Sequence, residues 1–187
     1  LLAELNKKTN LWVELGLQTA DAQSAAFIRR GYPLSVFTQA VYALAERNIP
    51  VVVHIILGLP GESRETVLRT IDYLNRLPIQ GVKLQLLHVL SDSDLADLYR
   101  AGEYTPLEKE EYLTLVGDCI AHLRADIVLH RLTGDGDKNT LLAPLWSLRK
   151  RDVLNHLHRY LKENHIRQGM SCKIDLSVIY NKPKDVL

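Results

Sequence analysis

The sequence is poor in cysteine. It contains two cysteines in 187 residues, Cys119 and Cys172, and they form neither a close pair nor a framework. Secreted chains often carry many paired cysteines, whereas a few isolated ones are typical of a reducing compartment. The cysteine content therefore predicts a cytoplasmic protein.

Long apolar runs and a large excess of charge are also absent. No stretch approaches the roughly 20 apolar residues that span a bilayer, and no signal-peptide pattern opens the chain. The formal net charge is +1, so the overall charge points to neither nucleic acid nor a membrane as partner. We expect one ordinary domain with a packed core and no membrane segment.

The most informative stretch that is present runs from Val51 to Glu62. The apolar segment Val51–Leu57 predicts a buried strand, and Gly58-Leu59-Pro60-Gly61 predicts a tight turn after it. His54 is polar within this aliphatic run, and a buried imidazole costs free energy unless it is hydrogen-bonded. In α/β proteins, a strand followed by a glycine turn and a helix presents backbone groups to a ligand.

Strands alternate with helices along the whole chain. Single helices between strands predict βαβ units and a parallel sheet. The predicted strands are Leu11–Gln18, Val51–Leu57, Val82–Leu90, Asp126–Leu132 and a late strand Ile174–Tyr180. Before the second strand, the predicted helices are a helix end at Leu1–Lys8, a short helix from the cap Asp21 to Arg30, and a helix begun by Pro33. After that strand, one helix is begun by Ser63, and another ends at about Leu123 and is capped by Thr105-Pro106 with Glu108. The last predicted helix covers Ala143–Asn164.

Three of these strands carry motifs in order. His54-Ile55-Ile56-Leu57-Gly58-Leu59-Pro60-Gly61-Glu62 resembles the fifth-strand motif of radical S-adenosylmethionine (SAM) enzymes, and Trp12–Thr19 and Gly81–His88 resemble their fourth and sixth strands. With Arg131–Asp135 and Ala143–Trp146, the set is similar to the YhcC-like branch of that superfamily. That branch groups with the radical-SAM subunit of the elongator complex and with oxygen-independent coproporphyrinogen oxidase.

The resemblance implies an α/β fold, the C-terminal part of a partial (β/α) TIM-type barrel with mainly parallel strands. We assign residues 1–132 to this barrel and residues 133–187 to a family-specific extension. In such enzymes a reduced [4Fe–4S] cluster cleaves SAM, and the resulting 5′-deoxyadenosyl radical abstracts hydrogen from the substrate. The elongator kinship suggests a tRNA base as substrate, and the full-length enzyme would need an electron donor.

One departure from the family concerns the cluster. The family holds it with three cysteines near the N-terminus, but this chain has two, far apart, and begins Leu1-Leu2-Ala3 without an initiator methionine. We therefore expect a C-terminal portion of such an enzyme that lacks the cluster ligands, binds no metal and is inactive alone.

Five residues are candidates for binding SAM by the resemblance. Gln18 ends its strand where the family has a glutamine that contacts SAM, and Arg30 falls where an arginine holds the ligand's carboxylate or ribose. His54 is expected to hydrogen-bond a ribose hydroxyl. Gly58 shapes the turn that faces adenine, and Leu87 walls the adenine pocket.

Five further residues are candidates for binding substrate: Glu14, Gln85, His88, Arg131 and Asp135. Glu14 would point into the barrel, where an unpaired carboxylate needs a cation or a hydrogen-bonding ligand. Each candidate also has a structural interpretation: Gln18 can simply close its strand, Arg30 can end a helix in solvent, His54 can be a core histidine, and Asp135 can be a turn residue.

Basic residues cluster near the end of the chain. Arg149, Lys150, Arg151, Arg159, Lys162 and Arg167, here called the basic strip, form a solvated helix face or a phosphate-binding surface. We expect modest, salt-sensitive tRNA binding from it. His156, His158 and His165 are expected to be surface residues rather than metal ligands, since positions two apart do not share a helix face.

The partial barrel also predicts self-association, because Leu11–Gln18 would be a free sheet edge and barrel-facing apolar residues would lack cover. The alternative is that Ile174–Tyr180 folds back over the opening and leaves a monomer. Two rival functions remain. One is a TIM-barrel enzyme for a phosphorylated metabolite, which would need a phosphate-binding loop near the last strands, where Asp135 would repel phosphate. The other is a non-catalytic scaffold.

Overall fold

A computed structural model describes residues 1–174 and shows an α/β fold built on a four-stranded parallel sheet. The strands are β1 (Val13–Gln18), β2 (Val51–Leu57), β3 (Gly81–Leu86) and β5 (Val128–Arg131), in the order β1-β2-β3-β5. Each strand pairs with its predecessor in parallel, so all four carboxyl ends lie at one edge. The predicted fold class is confirmed.

One face of the sheet packs against helices and forms the core. Leu17, Val53, Ile55 and Leu84 alternate with more exposed neighbours and are fully buried. The helices that cover this face are α3 (Leu34–Ala45), α4 (Arg64–Leu74), α6 (Lys109–His122) and α7 (Lys150–Glu163).

The other face of the sheet, which faces the barrel interior, carries a band of polar side chains across its centre. Because strand side chains alternate between faces, it carries Glu14, His54, Ile56, Lys83 and Gln85. This face lies directly below the edge at which the strands end, so it leads into the region where parallel barrels bind ligands.

Two predicted helix caps are confirmed. The Asp21 carboxylate accepts from the backbone N–H of Ser24 at 2.8 Å and begins α2 (Ala22–Phe27), and Ser63 begins α4. Helix α2 ends earlier than predicted, since Arg29 adopts a left-handed φ of 55°. The short helix α1 (Leu2–Asn6) precedes β1.

The predicted capping box at Thr105 was wrong. The N-cap of α6 is Glu108, whose partner is Glu111: the Glu111 carboxylate accepts from the Glu108 backbone N–H at 2.9 Å. The capping box therefore lies three residues later than predicted. Glu108 and Glu111 are three positions apart and satisfy the free backbone N–H groups as the predicted threonine and glutamate would have done.

The predicted strand Val82–Leu90 was too long. Strand β3 stops at Leu86, and β4 (Val89–Leu90) pairs antiparallel with β6 (Leu141–Ala143) in a separate two-stranded sheet. A short helix that the sequence did not predict, α5 (Asp94–Arg100), follows β4.

The predicted helix Ala143–Asn164 was also wrong at its start. Ala143 belongs to β6, residues Leu145–Leu148 form a 3₁₀ turn after Pro144, and α7 begins only at Lys150. Val153 and Leu157 of α7 join the core below the sheet. The division of the chain at residue 132 stays a prediction.

The predicted strand Ile174–Tyr180 lies outside the described residues except for Ile174. Within residues 1–174, no helix has the length and apolar character needed to cross a membrane.

Candidate functional site

Two adjoining pockets lie at the carboxyl edge of the sheet. The first, here called the polar pocket, measures about 490 Å³. It is lined by Gly16, Gln18, Ile28, Arg30, Gly31, Tyr32 and Ile56. The second, the apolar pocket, measures about 570 Å³ and is lined mainly by Phe27, Ile28, Leu59, Pro60, Leu87, His88, Leu90, Leu95 and Leu98. Ile28 forms a wall of both.

Gln18 occupies a special backbone position at the end of β1. It has a left-handed φ of 61°, and the register with β2 shifts between Gly16 and Gln18. Non-glycine residues adopt this conformation uncommonly, and strained positions of this kind are enriched at functional sites. With its amide nitrogen turned toward the chain, Gln18 donates to the carbonyls of Gly16 and Leu17, both at 3.0 Å.

Arg30 holds the turn after β1 together. Its Nη1 donates to the carbonyls of Leu17 at 3.1 Å and Thr19 at 2.6 Å, on either side of Gln18, and its Nε donates to Tyr32 at 3.2 Å. The guanidinium carbon also lies 5.3 Å from the centre of the Tyr32 ring. These bonds use Nε and Nη1, so the remaining nitrogen of the fork is the one that can face a ligand in the polar pocket.

His54 and Glu14 belong to a charged cluster on the interior face of the sheet. The Glu14 carboxylate accepts from Lys83 Nζ at 2.5 Å and lies 2.8 Å from Nε2 of His54. The Lys83 hydrogen bond, followed by that of His54, lowers the pKa of the Glu14 carboxyl. Lys83 is thus the cation that a carboxylate at position 14 was expected to need. His54 lines neither of the two pockets.

Gly58 turns the chain at the end of β2 with a φ of 89°. A side chain there would be strained, and its Cβ would lie 3.1 Å from Leu107. The Tyr104 hydroxyl donates to the Gly58 carbonyl at 2.8 Å and so ties the turn to the residues before α6. The predicted ligand-facing turn is therefore a rigid wall beside the apolar pocket.

Leu87 and His88 follow β3 and line the apolar pocket. Among the described residues, Nε2 of His88 is the buried side-chain polar atom that has no hydrogen-bond partner. The imidazole packs against Gly134, where an added Cβ would lie 2.4 Å from its Cε1. Burial lowers the pKa of His88, and the nearby Asp135 charge opposes this shift, so the ring is neutral near pH 7.

The remaining substrate candidates lie at the ends of β3 and β5. Gln85 is half-buried beside Ile56 on the interior face. Asp135 accepts from Lys150 Nζ at 2.7 Å and lies 3.7 Å from Arg131. The Lys150 hydrogen bond is the main cause that lowers the pKa of the Asp135 carboxyl.

Sequence reasoning missed a link between the turn after β1 and the segment after β2. The Thr19 hydroxyl donates to the Glu62 carboxylate at 2.5 Å, and the backbone N–H of Ala20 donates to Thr70 at 3.0 Å. Burial raises the pKa of the Glu62 carboxyl, and the Thr19 hydrogen bond opposes this shift. Glu62 directly follows the glycine-proline turn, which was the signal that could have identified it.

The two cysteines do not fit an iron–sulfur cluster. Cys119 is fully buried in α6, and desolvation raises the pKa of its thiol, whereas cluster ligands are thiolates. Cys172 lies outside the helices, where Asn75 Nδ2 approaches its sulfur at 3.7 Å. Within residues 1–174, no three histidine, cysteine or carboxylate side chains come together as a metal site.

The parallel strands, with two pockets at their carboxyl edge, define part of an open (β/α) barrel. Sequence profiles of the family agree with this class. The profile of the Radical SAM superfamily matches residues 1–74, and that of the Radical_SAM C-terminal domain matches residues 79–163. The chain belongs to the radical SAM superfamily, in its YhcC-like branch, and the predicted resemblance is confirmed.

Two curated relatives support this placement. The chain is 36% identical over 168 residues to the uncharacterized protein YtqA of Bacillus subtilis, covering 90% of this chain and 52% of YtqA. It is 32% identical over 157 residues to Protein YhcC of Escherichia coli, covering 84% of this chain and 51% of YhcC. The chain therefore spans about half the length of the curated relatives it matches.

Two more distant proteins are similar as well. A tRNA uridine(34) acetyltransferase of Methanocaldococcus jannaschii is 21% identical over 174 residues, which are 91% of this chain and 32% of that protein. The solved structure of the archaeal Elp3 of Methanocaldococcus infernus with an N-terminal deletion matches with a TM-score of 0.75 at 17% identity. It covers 89% of this chain and 39% of that chain, and it confirms the fold.

Proposed function

We propose that this chain provides the SAM site of a radical SAM enzyme. The pair of adjoining pockets is the observation that supports this proposal, because SAM has a charged amino-acid end and a flat, largely apolar adenine. The polar pocket would hold the carboxylate and ribose, and the apolar pocket would hold adenine. The cytoplasm is the compartment that we propose.

The apolar pocket suits adenine in shape and in its polar groups. Leu59, Pro60 and Leu87 offer flat apolar surface, and binding sites for small ligands combine such surface with a few placed polar groups. His88 Nε2, buried without a partner, is the polar group that a ring nitrogen or amino group of adenine would satisfy.

The polar pocket suits the charged end of the ligand. The free nitrogen of the Arg30 fork would pair with a carboxylate, and Gln18 would turn its amide away from its own backbone toward the ligand. His54 would reach the ribose only by leaving Glu14, and it is the least well-placed of the five cofactor candidates.

SAM held beside a reduced cluster would supply radical chemistry, the removal of hydrogen from a substrate. The residues of this chain would bind SAM, orient it and exclude water. The cluster and its electron donor would have to come from outside these 187 residues, since the cysteines present do not fit.

The substrate that we propose is a tRNA base. Support comes from the similarity to a tRNA uridine(34) acetyltransferase and from the fold shared with Elp3. The side chains that would contact the substrate are Glu14, Gln85, His88, Arg131 and Asp135; His88 lines the apolar pocket, and the other four lie outside the linings of both pockets. Glu14 and Asp135 are held in place by lysines, which would orient their remaining lone pairs.

Two ligands, SAM and 5′-deoxyadenosine, test the assignments of the two pockets separately. Leu87→Asp places a charge in the apolar pocket and should weaken both SAM and 5′-deoxyadenosine about tenfold or more, a change of about 1.4 kcal/mol. Gln18→Asn keeps a residue that tolerates the left-handed backbone but shortens the amide, and it should weaken SAM while sparing 5′-deoxyadenosine. Titration calorimetry or ligand-detected NMR measures both affinities.

The matched control for the first variant is Leu145→Asp, which alters an exposed leucine outside both pockets. It should change neither affinity more than twofold. If Leu87→Asp binds 5′-deoxyadenosine as well as the parent chain does, the adenine assignment is wrong.

A further inference from the structure

Charge is distributed unevenly along the chain. The segment from Arg149 to Arg167 contains six lysines and arginines and two carboxylates, a formal charge of +4. The whole chain carries +1, so all other residues together carry −3. A nearly neutral protein therefore has one strongly basic segment, and most of that segment is the helix α7.

Helix α7 separates its apolar and basic residues onto opposite faces. Val153 and Leu157 are buried in the core, whereas Arg151, His158 and Lys162 recur at helical spacing on the exposed side. Arg159 flanks them and is also exposed. The basic strip thus forms a continuous surface rather than a scattered set of charges.

Two carboxylates beside this surface, Asp152 and Asp135, are engaged by cations of the chain, whereas Glu163 next to Lys162 makes no ion pair within residues 1–174. Asp152 contacts Lys109 at 3.4 Å and His156 at 3.3 Å, and Asp135 contacts Lys150 and Arg131. Within residues 1–174, Arg151, Arg159, Lys162 and Arg167 make no ion pair. Their charge is therefore available to an external anion.

The basic strip is continuous with the proposed site. Lys150, its first helical residue, bonds Asp135, which also contacts Arg131 at the end of β5. From there α7 runs for 14 residues, about 21 Å, away from the sheet edge. At its far end Lys162, His165 and Arg167 border a surface depression of about 410 Å³.

We propose that the basic strip docks the phosphodiester backbone of the RNA whose base enters the site. This inference rests on the proposed tRNA substrate and names the surface that holds it. Lysine and arginine in a row neutralise successive phosphates, and the contact to phosphate sets the position of the nucleic acid without reading its sequence. The path from Lys162 to Lys150 would lead the backbone to the pocket mouth.

An anionic membrane fits this surface less well. Helices that lie on membranes insert an apolar face beside their basic residues. The apolar face of α7, with Val153 and Leu157, is instead buried in the core, and the exposed face carries polar residues such as Asn155 and His158.

The experiment measures binding of labelled tRNA to the chain by fluorescence anisotropy at several salt concentrations. The strip variant is Arg159→Glu with Lys162→Glu. Its affinity for tRNA should fall at least tenfold, and the slope of log K against log salt should become shallower by about 1 to 2, since each lost phosphate contact removes about one released counterion.

The matched control carries the same charge change elsewhere. Lys8→Glu with Arg47→Glu alters exposed residues near α1 and α3, at the β1 end of the sheet rather than the β5 end that precedes α7. It should bind tRNA within twofold of the parent chain. Circular dichroism confirms that both variants are folded.

Binding of 5′-deoxyadenosine is measured on the same preparations, and it should be unchanged in both variants. Equal tRNA affinity of strip variant and control would overturn the proposal, as would a parent chain that binds no tRNA. Preference for phosphatidylserine vesicles over tRNA would also overturn it. If tRNA binding fails in one of these ways but 5′-deoxyadenosine still binds, only the strip proposal is wrong and the proposed SAM site is unaffected. If 5′-deoxyadenosine does not bind either, the proposed function itself is wrong.

Discussion

Most charged side chains among the candidate site residues are held by neighbours within the chain. Arg30 donates to backbone carbonyls, Glu14 accepts from Lys83, and Asp135 accepts from Lys150. His88 differs, since its Nε2 is buried without a partner next to the apolar pocket. Such an atom is costly unless a ligand or water satisfies it, so His88 is the residue whose titration should be visible in stability.

His88 predicts a loss of stability in mild acid. Burial lowers its pKa below the ordinary 6.5, so the unfolded chain binds a proton at a pH where the folded chain does not. Above about pH 6.5 the ring is neutral in both the folded and the unfolded chain, so it adds no pH dependence there; stability falls as the pH drops below that value, by at most about 1.4 kcal/mol per pH unit. His88→Asn should remove this contribution.

Urea unfolding of parent and variant at pH 7.5 and at pH 5.5 checks this prediction. The parent should lose more free energy of unfolding between the two pH values than His88→Asn does. His158→Asn, which alters an exposed histidine on α7, should behave as the parent. Equal losses in all three chains would show that His88 is not desolvated.

At the scale of elements, one buried arginine joins α4, α6 and β5. Arg124 is 2% exposed. Its guanidinium donates to the carbonyls of Asn75 at 2.7 Å and Leu77 at 3.3 Å, and it pairs with Asp126 through both oxygens, at 3.0 and 3.1 Å. The segment between α4 and β3 is thereby tied to the segment between α6 and β5.

Replacing Arg124 should be strongly destabilising. Arg124→Met keeps much of the volume but leaves the buried carbonyls of Asn75 and Leu77 without this donor, and each buried polar group left unsatisfied costs about 1–3 kcal/mol. The free energy of unfolding from urea titration measures the loss. Arg76→Met, at an exposed arginine after α4, is the control and should cost less than about 0.5 kcal/mol. A loss below about 1 kcal/mol for Arg124→Met would mean that water replaces its bonds.

At the scale of the whole molecule, the interior face of the sheet carries exposed apolar side chains. Trp12 is 50% exposed and Val128 is 54% exposed, at opposite edges of the sheet near its amino end. Trp12 packs edge-on against His130, with ring centres 5.3 Å apart. Among the described strands, β1 has a neighbour on one side only, so its other side offers free backbone donors and acceptors.

We therefore expect the chain to self-associate through this face. Trp12→Ser with Val128→Ser removes the exposed apolar surface and should shift the equilibrium toward monomer, because burial of such surface drives association. Val36→Ser with Leu145→Ser, at two exposed apolar residues outside this face, should leave it unchanged. Sedimentation equilibrium over a wide concentration range decides, and a parent chain that is monomeric throughout would contradict the prediction.

The sequence alone determined the parallel α/β fold, the ends of β1 and β2, the caps at Asp21 and Ser63, and the family. These features depend on residues close together in the chain: an aliphatic run, a glycine-proline turn, a side chain that caps its own helix. The motif after β2 also located the edge where the pockets lie, because parallel strands end on one side.

Only the tertiary structure decided which side chains meet. Glu14 and Lys83 are 69 positions apart, and their pairing follows from the register of three strands rather than from any local pattern. The same is true of the β4–β6 pair, which divided one predicted strand and shortened one predicted helix. The burial of His88 against Gly134 likewise required distant segments to pack together. Such contacts depend on how distant segments pack, and a linear sequence does not display that.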